Sequence, residues 1–192
     1  MLASLFSATL RILFFRAGPQ DFPYDPRLTA PLAVSAGLAN GLMFMQVLPI
    51  GAALVMAITM VGGMALATRA ILRTRQLDAR YHQTFAALLA TNAALTFLLV
   101  PFFAQIAPML RELASHPEML EHPESVKLPP GIAFIMNALN LWSFAVTASI
   151  FRHAANVSMA LGLLIALVIA VGLLFFVAFA GSFAGMLFGA GG

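Results

Sequence analysis

Long intervals without a single Asp, Glu, Lys or Arg constrain this chain more than any other feature. Residues 28–68 form an uncharged run of 41, and residues 83–110, 128–151 and 154–192 give further runs of 28, 24 and 39. A helix needs about 20 apolar residues to cross a hydrocarbon core about 30 Å thick, so each run suffices for one crossing and the first for two. Backbone amides in lipid have no water to pair with, and only helices and closed barrels satisfy them internally. Runs this long suit helices rather than the roughly 10-residue alternating strands of a barrel. The expected fold class is therefore all-α, a polytopic membrane bundle of five transmembrane helices at about 29–48, 52–70, 83–110, 128–151 and 157–180, followed by a Gly-rich tail that either prolongs the last helix or lies at the interface. Pro49-Ile50-Gly51 is the turn signal within the first hairpin.

Composition excludes the soluble alternatives. Hydrophobic residues make up 61% of the chain and charged residues 9%, against the roughly 25% charge usual in soluble domains. The absence of Cys rules out a disulfide scaffold, a thiolate metal site and a thiol nucleophile.

Charge placement sets an orientation. With residue 1 cytoplasmic, the cytoplasmic segments carry Arg11, Arg16, Arg27, Arg69, Arg73, Arg75, Arg80 and Arg152, and the opposite side only Arg111 and Lys127. Positive charge collects on the cytoplasmic side of membrane proteins, so this orientation is expected in the inner (plasma) membrane, with the C-terminus on the opposite side. Glu112, Glu118, Glu121 and Glu124 fall in the external loop at about 110–128. The basic residues flank helices singly or in small groups and do not interleave with stacking aromatics, so they fit topology and anionic headgroups rather than nucleic acid.

Residues 1–16, MLASLFSATLRILFFR, set Ser4, Ser7 and Arg11 on one side at helical spacing, which predicts an interfacial amphipathic helix along the cytoplasmic leaflet. A signal peptide would carry its positive charge before the apolar stretch rather than within and after it. Pro19, Pro23 and Pro26 predict an extended linker up to residue 27, so the chain divides into 1–27, a cytoplasmic helix and Pro-rich linker, and 28–192, the transmembrane domain.

The linker motif GPQDFPYDP, five spans in this order and the segment LWSFAVTASIFRHA at 141–154 together resemble small bacterial inner-membrane proteins related to the Yip-domain family. Eukaryotic members are implied to act in vesicle traffic by binding small GTPases and membrane partners. The resemblance implies a binding or organising protein, not an enzyme. No GTPase-contact motif stands in this chain, so no such residue carries over.

The spans hold no Asp, Glu, Lys or Arg in their middles, the residues that mark proton relays and ion paths. His82 and His153 sit at span ends beside Arg80 and Arg152, where capping or headgroup contact is expected. In the external loop, His116, Glu118, Glu121 and His122 supply metal-ligating side chains. A spacing of six turns the two imidazoles about 120° apart on a helix, and Pro117 and Pro123 interrupt a helix there. A solvated acidic loop without metal is the reading preferred. Zincin, phosphate-loop, dinucleotide and nucleophile-elbow patterns are missing, so no enzyme and no cofactor are expected. Met43, Met45, Met56, Met60 and Met64, with no Cys or His at their depth, are read as packing filler.

Groups suited to helix contact are more abundant. Gly37 and Gly41 in the first span, Gly62 and Gly63 in the second, and Gly181, Gly185 and Gly189 at intervals of four near the C-terminus make strips where another helix approaches closely. Asn40 and Gln46, then Thr91, Asn92 and Thr96, then Asn137, Asn140, Ser143 and Thr147 place uncharged polar groups inside the spans. Contacts within the bundle account for much of this, and the C-terminal glycine strip suggests a second chain. Trp142, placed mid-span, fills an interhelical gap or faces a lipid-soluble molecule. The function expected is that of a non-catalytic scaffold, assembly factor or accessory subunit, with membrane lipids and other integral membrane proteins or a second copy as partners. The alternative is a small transporter or channel with Asn92, Asn137 and Asn140 along a polar path.

Overall fold

The computed structural model describes residues 2–116, 118–119 and 129–188, and no strand occurs among them. Six helices follow one another: α1 Leu2–Leu13, α2 Thr29–Phe44, α3 Ile50–Thr74, α4 Tyr81–Ser115, α5 Pro130–Ala154 and α6 Met159–Phe188. Four are long and apolar enough to cross a membrane: α3, α4 with the 3-10 turn that leads into it, α5 and α6. The first expected span differs. Helix α2 stops at Phe44, and its 16 residues rise only about 24 Å. Met45–Val47 form a turn and Leu48 a bend ahead of Pro49, whose ring disfavours helical backbone in the residue before it. By length and composition, four helices therefore qualify where five were expected.

Helix α4 is the centre of the bundle. Its apolar stretch is 61% buried, against 11% for α6, and Thr84 through Thr91 are buried without interruption. A helix apolar all round has to be surrounded. Ala86, Ala87, Ala90 and Ala93 keep its surface low enough for neighbours to close on it.

Helix α1 packs against α4 and α5, with Ile12 and Leu13 buried and Phe6, Leu10 and Phe14 exposed. Its two-faced character agrees with the sequence, yet its inner face meets protein. The linker is not extended. It folds into 3-10 turns at Pro19–Asp21 and Pro26–Leu28 and buries Phe22. The Asp21 carboxylate accepts from the Gly18 N–H and that of Asp25 from the Arg27 N–H, which replace the backbone bonds such turns lack.

Three segment ends share one device. Phe15, Gln76 and Asn156 take positive φ of 57°, 57° and 54°, and the next residue's N–H returns to a carbonyl five positions earlier: Arg16 to Arg11, Leu77 to Leu72, Val157 to Arg152. This closes otherwise open carbonyls, as glycine does in most helix ends of this kind.

Both ends of the bundle are tied. Arg80 donates to the carbonyls of His153 at 3.3 Å and Ala154 at 3.1 Å, and Gln83 donates to the carbonyl of Phe22 at 3.0 Å. The α3–α4 and α5–α6 connections and the linker therefore share one end. At the far side, Gln46 Nε2 reaches the Val100 carbonyl at 3.4 Å. Gln83 and Val100 are about 26 Å apart along α4, which is the depth α2 and its following turn cover.

Candidate functional site

A cavity of about 370 Å³ opens among α3, α4, α5 and α6, with Phe44 at the end of α2 closing one side. Each helix lends it one stripe at spacings of three and four, the signature of a single helix face. Met60 and Met64 come from α3; Leu88, Thr91, Asn92 and Leu95 from α4; Asn140, Ser143, Thr147 and Phe151 from α5; Ala166, Ile169, Ala170, Leu173 and Val177 from α6. The lining is mostly hydrocarbon, and its polar groups come from α4 and α5.

Those groups differ in how far the fold satisfies them. Asn40 Nδ2 donates to the Ala36 carbonyl at 2.8 Å and to Asn92 Oδ1 at 2.9 Å, a bond between α2 and α4. It fixes the Asn92 amide with its oxygen toward Asn40, leaving Asn92 Nδ2 without an acceptor among the described residues. Asn140 Nδ2 donates to the Met136 carbonyl at 2.9 Å, and its Oδ1 accepts nothing there. Thr68, Thr84 and Thr91 each donate to the carbonyl four residues earlier. Ser143 and Thr147 make no such bond and have no other partner among the described residues. Neither hydroxyl is sealed within the protein, so both face open space.

Asn140 on α5 and Leu174 on α6 both line the cavity and are both exposed. Counted from the shared end of the bundle, Ala154 and Met159, they lie about 21 and 22 Å along their helices. Both positions therefore lie within the zone that α5 and α6 would span in lipid.

The other polar residues lie apart. Asn137 is exposed and does not line the cavity, so the structure brings together Asn92 and Asn140 but not all three amides. Gln46 lies in the turn after α2 rather than in a span, and its Oε1 is buried without a partner. A second, polar cleft of about 500 Å³ lies at the tied end, between Gln20, Arg80, Gln83, Arg152, His153 and Asn156.

The glycines divide. A Cβ at Gly41 would touch Ala57 at 3.8 Å, one at Gly63 would stand 2.6 Å from Leu173 Cδ2, and one at Gly181 would touch Met56 at 3.7 Å, so these serve contacts inside the bundle. Gly37, Gly62 and Gly185 have nothing within 4 Å of that position, and Gly189 lies outside the described residues. The tightest approach to the backbone of another helix is at Gly162, where a Cβ would stand 2.6 Å from the Ala148 carbonyl oxygen. Sequence reasoning missed it, because an isolated glycine in an apolar run carries no pattern.

In the loop, His116 Nδ1 lies 3.0 Å from Glu118 Oε1, both exposed. Glu121 and His122 lie outside the described residues, and no three metal-ligating side chains come together among those described.

Comparison with protein-family models, with curated proteins and with solved structures finds no match for this chain.

Proposed function

We propose that the chain is a non-catalytic integral membrane protein that works by helix–helix association, as a scaffold, assembly factor or accessory subunit of a larger inner-membrane complex. The carrying observation is the division of the glycines: Gly41, Gly63 and Gly181 serve internal contacts, while Gly37, Gly62 and Gly185 keep bare backbone facing outward. Close approach of backbones is a main source of helix affinity in lipid, where apolar burial between helices drives nothing. The Yip-domain resemblance points to the same class of work.

In this reading α2 is a fifth membrane-embedded helix. Its support is the roughly 26 Å of α4 between the linker bond at Gln83 and the turn bond at Val100. The N-terminus is then cytoplasmic and the C-terminus external. The tied end collects Arg69, Arg73, Arg75, Arg80 and Arg152, as the cytoplasmic bias of positive charge requires. The test is co-purification in mild detergent. The native protein elutes with a companion or a second copy, and leucine at Gly37, Gly62 and Gly185 releases it. Recovery of the unaltered protein as a lone monomer in every gentle detergent refutes the proposal.

One observation favours a transport reading beside it: Asn92 and Asn140 share a cavity wall. Flux in reconstituted vesicles that survives alanine at both positions removes that reading.

A further inference from the structure

We infer that the cavity between α3, α4, α5 and α6 binds a neutral lipid whose head carries carbonyl oxygens, and that the lipid enters from the bilayer between Asn140 and Leu174. This goes beyond helix association and does not depend on it.

Four features converge. The volume, about 370 Å³, lies within the roughly 300–1,000 Å³ of small-molecule sites, which are likewise mostly apolar with a few placed polar groups. The head must be neutral, because the lining has no Asp, Glu, Lys, Arg or His, and an uncompensated charge in such surroundings is strongly disfavoured. Donors are available for a carbonyl oxygen: Asn92 Nδ2, held outward by its bond to Asn40, and the hydroxyls of Ser143 and Thr147, which have no other acceptor among the described residues, can each donate to it, while Asn140 Oδ1 is the one amide acceptor left open. Ser143 and Thr147 stand four apart on one α5 face, so both hydroxyls belong to the same cavity wall. The tail follows from the rest of the lining: Met60, Met64, Ile169 and Leu173 receive hydrocarbon.

The exposed lining residues decide the source. Asn140 and Leu174 sit at matching depths of about 21 and 22 Å from the tied end, so an entry between them faces acyl chains rather than water. A quinone and an acylglycerol share the required chemistry, a neutral carbonyl head on an apolar tail, and the experiment separates them.

The full chain is purified from its own membrane in mild detergent, and bound lipid is quantified by native mass spectrometry and solvent extraction. A redox difference spectrum reports quinone and the extracted mass reports acylglycerol. Near-stoichiometric retention of either supports the proposal. Ser143→Ala with Thr147→Val is expected to lower retention about tenfold, two lost bonds each contributing on the order of a factor of three. Leu174→Trp, which narrows the entry, lowers it similarly, and Thr147→Ser, which keeps the hydroxyl, retains the lipid. Circular dichroism and a monodisperse elution profile confirm that each variant is folded. Retention unchanged in the folded double variant, recovery of phospholipid alone, or no lipid above the detergent background overturns the proposal.

Discussion

The indole N–H of Trp142 on α5 donates to the carbonyl of Leu13 at the end of α1, at 2.9 Å, across 129 positions of sequence. The Trp142 ring also meets Phe14 edge-on, with centroids 5.5 Å apart. A helix end leaves its last carbonyls without intrahelical donors, and in apolar surroundings an indole is one of few side chains that supplies both the donor and the packing surface. The bond holds the amino-terminal helix against the bundle.

Trp142→Phe keeps the ring contact and removes the donor. The expected cost is about 1 kcal/mol, felt as looser docking of α1 rather than as loss of the bundle. The chain has no native Cys, so a single Ala8→Cys, at a half-buried position packed on the core, reports the change. Thiol labelling should speed up several-fold in the Trp142→Phe background. Equal rates in both backgrounds would show that the hydrogen bond does not hold α1.

Gly162 and Gly172 make a controlled pair on α6. At Gly162 an added Cβ meets the Ala148 carbonyl oxygen at 2.6 Å, whereas at Gly172 nothing lies within 4 Å. Backbone yields less readily than the end of a side chain, so Gly162→Ala must push α6 from α5, with an expected cost of about 1–3 kcal/mol. Gly172→Ala should be neutral or stabilising by up to about 1 kcal/mol, since alanine favours the helix. Thermal unfolding in detergent, followed by circular dichroism, checks the sign: a lower Tm for the first and an unchanged or higher Tm for the second. If both shift alike, the α5–α6 crossing is not the constraint.

What could be read in the sequence and what could not divide along a physical line. Charge-free length located α3, α4, α5 and α6, because lipid imposes that length on any chain that crosses it. It ended one helix too early: helix α4 runs on to Ser115 past Arg111 and Glu112. For the glycine-rich tail it left two courses, and α6 takes up Gly181 and Gly185 and runs to Phe188. A charge marks where hydrocarbon stops, not where backbone hydrogen bonding stops. Helix α2 erred the other way, since Pro49 ended it at Phe44 inside an uncharged run. Asn92, Asn140, Ser143 and Thr147 were visible as polar residues at helical spacing. That they share a wall depends on how α4 and α5 rotate against each other, which no single helix records. The close approach at Gly162 and the bonds from Arg80 to the end of α5 are tertiary in the same sense.

The bond from Asn40 to Asn92 joins these levels and gives the sharpest energetic test. Asn40 is buried on α2 and does not line the cavity, whereas Asn92 does. Interhelical hydrogen bonds in membranes average about 0.6 kcal/mol and reach about 1.7, because the separated helices also find partners. A double-mutant cycle with Asn40→Ala and Asn92→Ala, run in detergent on lipid-stripped protein, should give a coupling in that range, and a coupling near zero would mean that the 2.9 Å contact does not contribute. Asn40→Ala has a second consequence. Without its donor the Asn92 amide is free to turn, so Nδ2 is no longer held toward the cavity. Lipid retention should then fall in Asn40→Ala although the residue never touches the ligand, and should be unaffected by Asn137→Ala, whose amide lies outside the cavity wall. Equal loss in both variants would trace retention to general stability rather than to the direction of the Asn92 amide.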